Sequence, residues 1–249
     1  MSRRPPTRGV ETLPVGGASL RIKNWRGDVD TAHVLPLPDH RPPSEATVRR
    51  CLLGLADRGY RHALTSALGP DDQVGFLAAG FTVHERLHLL IRNLGRGDLA
   101  QGPRDGGRRG RRTDRGAVLT LDRRAFTPFW QLDESGLADA IAATPSARFR
   151  VVEGRRGELS GYAIFGRAGR RGYIQRLAVH PDDEGQGLGT ALVADGLRWM
   201  RRRGVNRVMV NTQRCNQRAL ELYERLGFAR QRDDLAVLTT LVAPLAVPS

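Results

Sequence analysis

The chain has 249 residues, 40% of them hydrophobic, and a formal net charge of +14 in which Lys23 is the only lysine. That is enough apolar material for one large or two small cores. No apolar run reaches the ~20 residues of a membrane span, and no apolar stretch follows the basic residues Met1 to Thr7 as a secretory signal would require.

Cys51 and Cys215 have no metal-ligand spacing, so no metal is expected and both thiols read as reduced in a cytoplasmic protein with no membrane partner. A charge of this size attracts polyanions. The arginines are scattered and interleave with few aromatics, however, so a solvated basic surface is the simpler reading and nucleic acid is not an expected partner.

In chain order, residues 1–16 carry Arg, Pro and Gly without apolar periodicity and are expected to fray. Ala18 to Ile22 fits a short strand. The proline-rich segment His33 to Pro43 reads as a loop. Ser44 is placed to cap a helix through Leu52, Leu55 and Ala56, which Gly59 ends. His62 to Leu68 reads as a strand and Val74 to Ala79 as a short helix. Gly80-Phe81 then turns the chain into a strand over Thr82 to Ile91. Gly95 to Gly116 has too little apolar surface to offset its ordering entropy and reads as a linker, the cluster Arg108 to Arg112 included.

Ala117 to Leu121 is a candidate strand, and Trp130, Leu132, Leu137, Ile141 and Ala142 recur at helical spacing. Strands over Arg148 to Glu153, Leu159 to Phe165 and Tyr173 to Val179 are joined by short turns, which makes an antiparallel meander. A helix follows with Leu192, Val193, Leu197 and Met200 on one face, stopped by Gly204. Arg207 to Asn211 is a strand, Asn216 caps another helix, and Gly227-Phe228 leads into a final strand. The expected divisions are a flexible 1–16, an N-terminal domain over 17–94, a linker over 95–116 and a second domain over 117–243.

The halves share a pattern. Arg58-Gly59-Tyr60 leads a strand, a helix and Gly80-Phe81, while Arg203-Gly204-Val205 leads a strand, a helix and Gly227-Phe228. The glycines stand 21 positions apart in the first half and 23 in the second. This spacing implies a degenerate internal duplication. The first copy has no glycine-rich turn before its helix.

That turn, in Leu177-Ala178-Val179-His180-Pro181-Asp182-Asp183-Glu184-Gly185-Gln186-Gly187-Leu188-Gly189-Thr190, carries the chemistry. Alternating glycines let the backbone approach a ligand and take positive φ. Successive amides running into a helix start form an anion site suited to a pyrophosphate. A dinucleotide fold is disfavoured, because it needs a longer glycine fingerprint on a parallel sheet.

Leu177 to Thr190 resembles the signature of the GCN5-related N-acetyltransferase (GNAT) superfamily. Asn216-x-x-Ala219-x-x-Leu222-Tyr223-x-x-Leu226-Gly227-Phe228 resembles its second motif. The likeness covers roughly Val118 to Val242. It implies an α+β fold, a mixed and mostly antiparallel twisted sheet flanked by helices, with a smaller truncated GNAT-like domain in front. It also implies acetyl-CoA as co-substrate and an amine of a small molecule or protein as acceptor.

Position by position, the resemblance implies that backbone at Leu177, Ala178 and Val179 holds the acyl and pantetheine arm where two strands splay. Gly185, Gln186, Gly187, Leu188, Gly189 and Thr190 would supply amides to the diphosphate. Asn216 would bond the pantetheine region, and Tyr223 would protonate the departing thiolate.

Two positions depart from the family pattern. Glu184 stands where many members have Arg or Gln, and Asn211 stands where some have a glutamate base. Asp133, Glu134, Gln175 and His180 remain as proton relays. A monomer with pseudo-symmetric halves or a homodimer is expected.

Overall fold

The computed structural model describes residues 11–15, 18–37, 41–95, 106–154 and 157–242. In chain order the elements are β1 (Glu11–Val15), β2 (Ala18–Trp25), β3 (Asp28–Pro36), α1 (Glu45–Asp57), β4 (His62–Thr65), α2 (Pro70–Ala78), β5 (Thr82–Asn93), β6 (Arg108–Arg109), α3 (Arg115–Ala125), α4 (Glu134–Ala142), β7 (Ser146–Glu153), β8 (Leu159–Ala168), β9 (Arg171–Val179), α5 (Leu188–Arg201), β10 (Arg207–Gln213), α6 (Gln217–Arg225), β11 (Ala229–Arg230) and β12 (Leu235–Leu241). Short 3-10 turns cover Arg112–Asp114, Pro128–Trp130 and Pro181–Asp183. None of the described helices is long and apolar enough to cross a membrane. Chain contacts form two compact units, residues 1–88 with 232–249, and residues 89–231.

In the first unit the strands run β1-β2-β3-β4-β12-β5. All neighbours are antiparallel except β3 and β4, which pair in parallel from Thr31↔His62 to Val34↔Thr65. Ser44 caps α1, its Oγ accepting from Thr47 N at 3.3 Å. Val48, Cys51 and Leu55 line one face of the helix and pack with Leu20, Ala63, Phe76 and Phe81.

In the second unit the end of β5 is followed by β10-β9-β8-β7-β6, and β11 pairs with Leu90 and Ile91 of β5. β9 and β10 pair in parallel, and β6–β7, β7–β8, β8–β9 and β5–β11 pair antiparallel. One cluster joins Phe165, Leu192, Leu197 and Met200 to Tyr223 and Phe228; a second joins Val118 and Leu121 to Tyr162 and Ile164.

The expected α+β architecture is therefore observed, with corrections. Ala117 to Leu121, expected as a strand, lies inside helix α3: Val118, Leu119, Leu121 and Asp122 are its buried residues, and that spacing marks a helix face. Part of the proline-rich loop is strand β3, because Ala32 and Val34 point into the core and Pro36 falls only at its end. Of the expected fraying segment 1–16, residues 11–15 pair as β1, and the rest lie outside the described residues. Residues 96–105 of the expected linker also lie outside them. Its remainder holds β6, a 3-10 turn and the first residues of α3, because Arg108 finds both Asp114 and Glu153. Strand β12, read with the second half, belongs to the first unit.

The repeated glycine corners share one geometry. Gly59, Gly80, Gly204 and Gly227 all have φ between +75° and +97°. Each follows a helix, and the next residue's amide returns to that helix: Tyr60 to Leu55 O, Phe81 to Phe76 O, Val205 to Met200 O and Phe228 to Tyr223 O.

Candidate active site

The site opens where β9 and β10 part. Their parallel register runs from Arg207↔Arg171 to Met209↔Tyr173 and stops, although β9 continues to Val179 and β10 to Gln213. On its other edge β9 stays paired with β8 as far as Gly161↔Val179. Among the described residues, the edge of β9 that carries Leu177, Ala178 and Val179 thus has no strand partner on the β10 side. In the first unit, by contrast, all four residues of β4 pair with β3.

Beyond β9, the amide of Asp183 donates to His180 O at 2.9 Å and that of Glu184 to Pro181 O at 3.3 Å. From Gly185 through Thr190, no amide has a protein acceptor among the described residues. The first bond that closes the helix runs from Ala191 N to Gly187 O at 2.9 Å, so the amides of Leu188, Gly189 and Thr190 precede it. Gly187 is the N-cap of α5, offers no side-chain cap, and stands at φ +81°; Gly185 stands at φ +79°. Glu184 to Gly187 are exposed, and Leu188, Gly189 and Thr190 are half-buried. Unspent donors at a positive helix end make an anion site. The carboxylate of Glu184 is paired with Arg218, so its charge is met by a cation from α6.

Asn216 caps α6, its Oδ1 accepting from Ala219 N at 3.0 Å, which leaves its NH2 group as a donor. Tyr223 is 5% exposed and packs among Leu90, Leu220, Leu226 and Phe228, its ring edge-on to Phe228 at 5.7 Å. Burial pushes its phenol pKa above the ordinary value, so the group keeps its proton.

The relay candidates separate. The ring of His180 is held at Nε2, 2.7 Å from Arg124 Nη1. An arginine only donates, so this lone pair is occupied and His180 is poorly placed as a base. Asp133 Oδ1 caps α4 through Gly136 N at 2.7 Å, and Glu134 is exposed in the first turn of the same helix. Gln175 Nε2 reaches Thr144 Oγ1 at 3.4 Å, and its buried Oε1 has no partner among the described residues. Asn211 is exposed on β10.

Sequence reasoning missed the polar centre beneath the site. Asp122, fully buried, takes Arg176 Nε and Nη2 at 2.8 Å each, Leu132 N at 2.7 Å, and the hydroxyl of Tyr162. Arg176 also donates to Trp130 O at 2.6 Å and lies 3.5 Å over the ring of Phe126. An acid inside an apolar helix face and an arginine inside an apolar strand were the available signals.

Residues 116–228 match the model of the acetyltransferase (GNAT) family. The mycothiol acetyltransferase of Salinispora arenicola is 39% identical over 129 residues, covering 47% of this chain and 42% of that protein. N-alpha-acetyltransferase 30 of Schizosaccharomyces pombe is 40% identical over 62 residues, 25% of this chain and 41% of that one. The chain thus spans about two fifths of the length of these relatives.

Among solved structures, a tandem GNAT protein from the clavulanic acid biosynthesis pathway matches with a TM-score of 0.68 at 17% identity, over 98% of this chain and 86% of that one. A GCN5-related N-acetyltransferase from Sphaerobacter thermophilus matches at 0.60 and 17% identity, over 92% and 78%. The fold is that of the GNAT structures.

Proposed function

We propose that the second unit is an N-acetyltransferase that moves an acetyl group from acetyl-CoA to a primary amine by direct attack. The observation that carries this reading is the row of unspent amides from Gly185 to Thr190 at the uncapped start of α5. These donors would grip the diphosphate of CoA. The unpaired edge of β9 at Leu177, Ala178 and Val179 would take the pantetheine arm, with the NH2 group of Asn216 donating to it.

The neutral amine attacks the thioester carbonyl, whose developing negative charge main-chain N–H groups stabilise. Holding both reactants in line supplies a further share of the rate. The C–N bond forms, the C–S bond breaks, the amine gives up a proton to solvent or a relay, and the thiolate takes the phenolic proton of Tyr223. No covalent intermediate on the protein is needed. Since Asn211 cannot accept a proton, an amine of low pKa or a water relay suits this site best.

The relatives named for mycothiol favour a small-molecule amine, and the one named N-alpha-acetyltransferase favours a polypeptide amine. We further infer that the first unit is a degenerate copy. The matching glycine corners and the order strand, helix, strand, helix support this, as does the tandem GNAT neighbour. All four residues of β4 pair with β3, Ser44 caps the helix, and the sequence before that helix has no glycine-rich turn to match the phosphate loop. A chain of two such halves would work as a monomer, or as a homodimer.

The test is acetyl-CoA turnover over a panel of peptides, polyamines and amino sugars, read as free thiol. Turnover with one class identifies the acceptor. CoA binding without turnover on any amine would favour the alternative, a CoA-binding sensor or scaffold that has lost catalysis, which Asn211 motivates.

A further inference from the structure

A cavity of about 440 Å³ lies at the end of α5 away from the phosphate loop and takes no part in the chemistry above. Arg109, Arg111, Arg112 and Arg115 line it from β6, the following 3-10 turn and the start of α3. Arg148, Arg150 and Arg203 line it too, and none of the described lining residues is acidic. Arg148 and Arg150 share the buried carboxylate of Asp195, at 2.8 and 3.3 Å. Asp114, the acid nearest in sequence to the first wall, is taken by Arg108 through both oxygens at 2.8 Å. Among the described residues no carboxylate lies within ion-pair distance of the Arg109, Arg111, Arg112 or Arg115 guanidinium, although the charge of Asp114 also acts on Arg111.

Like charges gathered in a recess repel one another and focus a positive field, and a multiply charged anion relieves both. Guanidiniums suit phosphate, which they bind with two parallel hydrogen bonds. Ile141, Phe149 and Trp199 add apolar surface beside them, and Arg203 lies 5.0 Å over the Trp199 ring. A half-open recess of this volume falls in the size range of small-molecule sites.

We infer that this cavity binds a small phosphorylated ligand of nucleoside-diphosphate size. With α5 fourteen residues long, the cavity stands about 20 Å from the phosphate loop. This site does not depend on the acetyltransferase reading.

The test uses ADP as probe, titrated calorimetrically into the intact chain carrying Gly187→Val, so that binding at the loop is weakened. Saturable binding to one site is expected. Adding Arg111→Ser and Arg112→Ser, both at exposed positions, should weaken it at least about tenfold. No binding in the Gly187→Val background, or binding unchanged by the two serines, would overturn the proposal. So would tight binding of a short single-stranded oligonucleotide that ADP does not displace, which would identify a nucleic-acid surface instead.

Discussion

Arg176 holds Asp122 through both carboxylate oxygens inside the second unit, the acid fully buried and the arginine side chain 10% exposed. The pair ties α3 to the strand whose next residue, Leu177, begins the edge proposed for the pantetheine arm. Removing one partner of such a pair leaves an uncompensated buried charge. Asp122→Ala should therefore lower stability by about 3–5 kcal/mol in urea unfolding. Asp122→Leu combined with Arg176→Met should recover much of that loss, because neither charge then remains.

Tyr223 gives a kinetic prediction. Its phenol is protonated and buried, and Tyr223→Phe removes only the hydroxyl. Turnover should fall by about 10²-fold or more, with acetyl-CoA affinity nearly unchanged. Equal turnover would reduce Tyr223 to a core residue packed on Phe228.

His33 makes the first unit acid-sensitive. It is 9% exposed, edge-on to Trp25 at 4.9 Å, and its Nε2 has no partner among the described residues. Burial pushes its pKa down to about 3, with Lys23 and Arg26 adding repulsion. The unfolded chain takes up this proton near pH 6.5 and the folded one does not. The contribution is thus complete above pH 6.5 and is lost as the pH falls from there toward 3, at about 1.4 kcal/mol per pH unit. His33→Phe should flatten the pH dependence of stability over that window, read by denaturant midpoints at pH 7 and pH 4.5.

The two thiols should differ. Cys51 is buried in α1 and its pKa is pushed up to about 12 by burial, while Cys215 is exposed. A thiol reagent at pH 8 should label Cys215 quickly in the folded chain and Cys51 only after unfolding.

What was legible in the sequence was whatever local chemistry decides. The glycine corners at Gly59, Gly80, Gly204 and Gly227, the caps at Ser44 and Asn216, and the loop from Gly185 to Thr190 depend on a few neighbouring residues. Each stands in the structure as a turn, a cap or a run of amides without a protein acceptor among the described residues. Features decided by distant partners were not legible. The run Ala117-Val118-Leu119-Thr120-Leu121 fits strand or helix equally, and packing of Val118 and Leu121 against β8 residues settles it as helix. Arg108 reads as linker charge until Glu153, 45 positions away, is beside it. The departure of β9 from β10 is a tertiary event with no signal in either strand alone.

Acetyl-CoA titrated calorimetrically into the wild-type chain and into Gly187→Val tests the phosphate-loop assignment most directly. Gly187 has open space around it but sits at φ +81°, where valine is strained, so the substitution distorts the loop without filling it. Saturable binding to the wild type that weakens at least about tenfold in the variant is the expected result. Equal affinity in both chains, or no binding to the wild type, would contradict it.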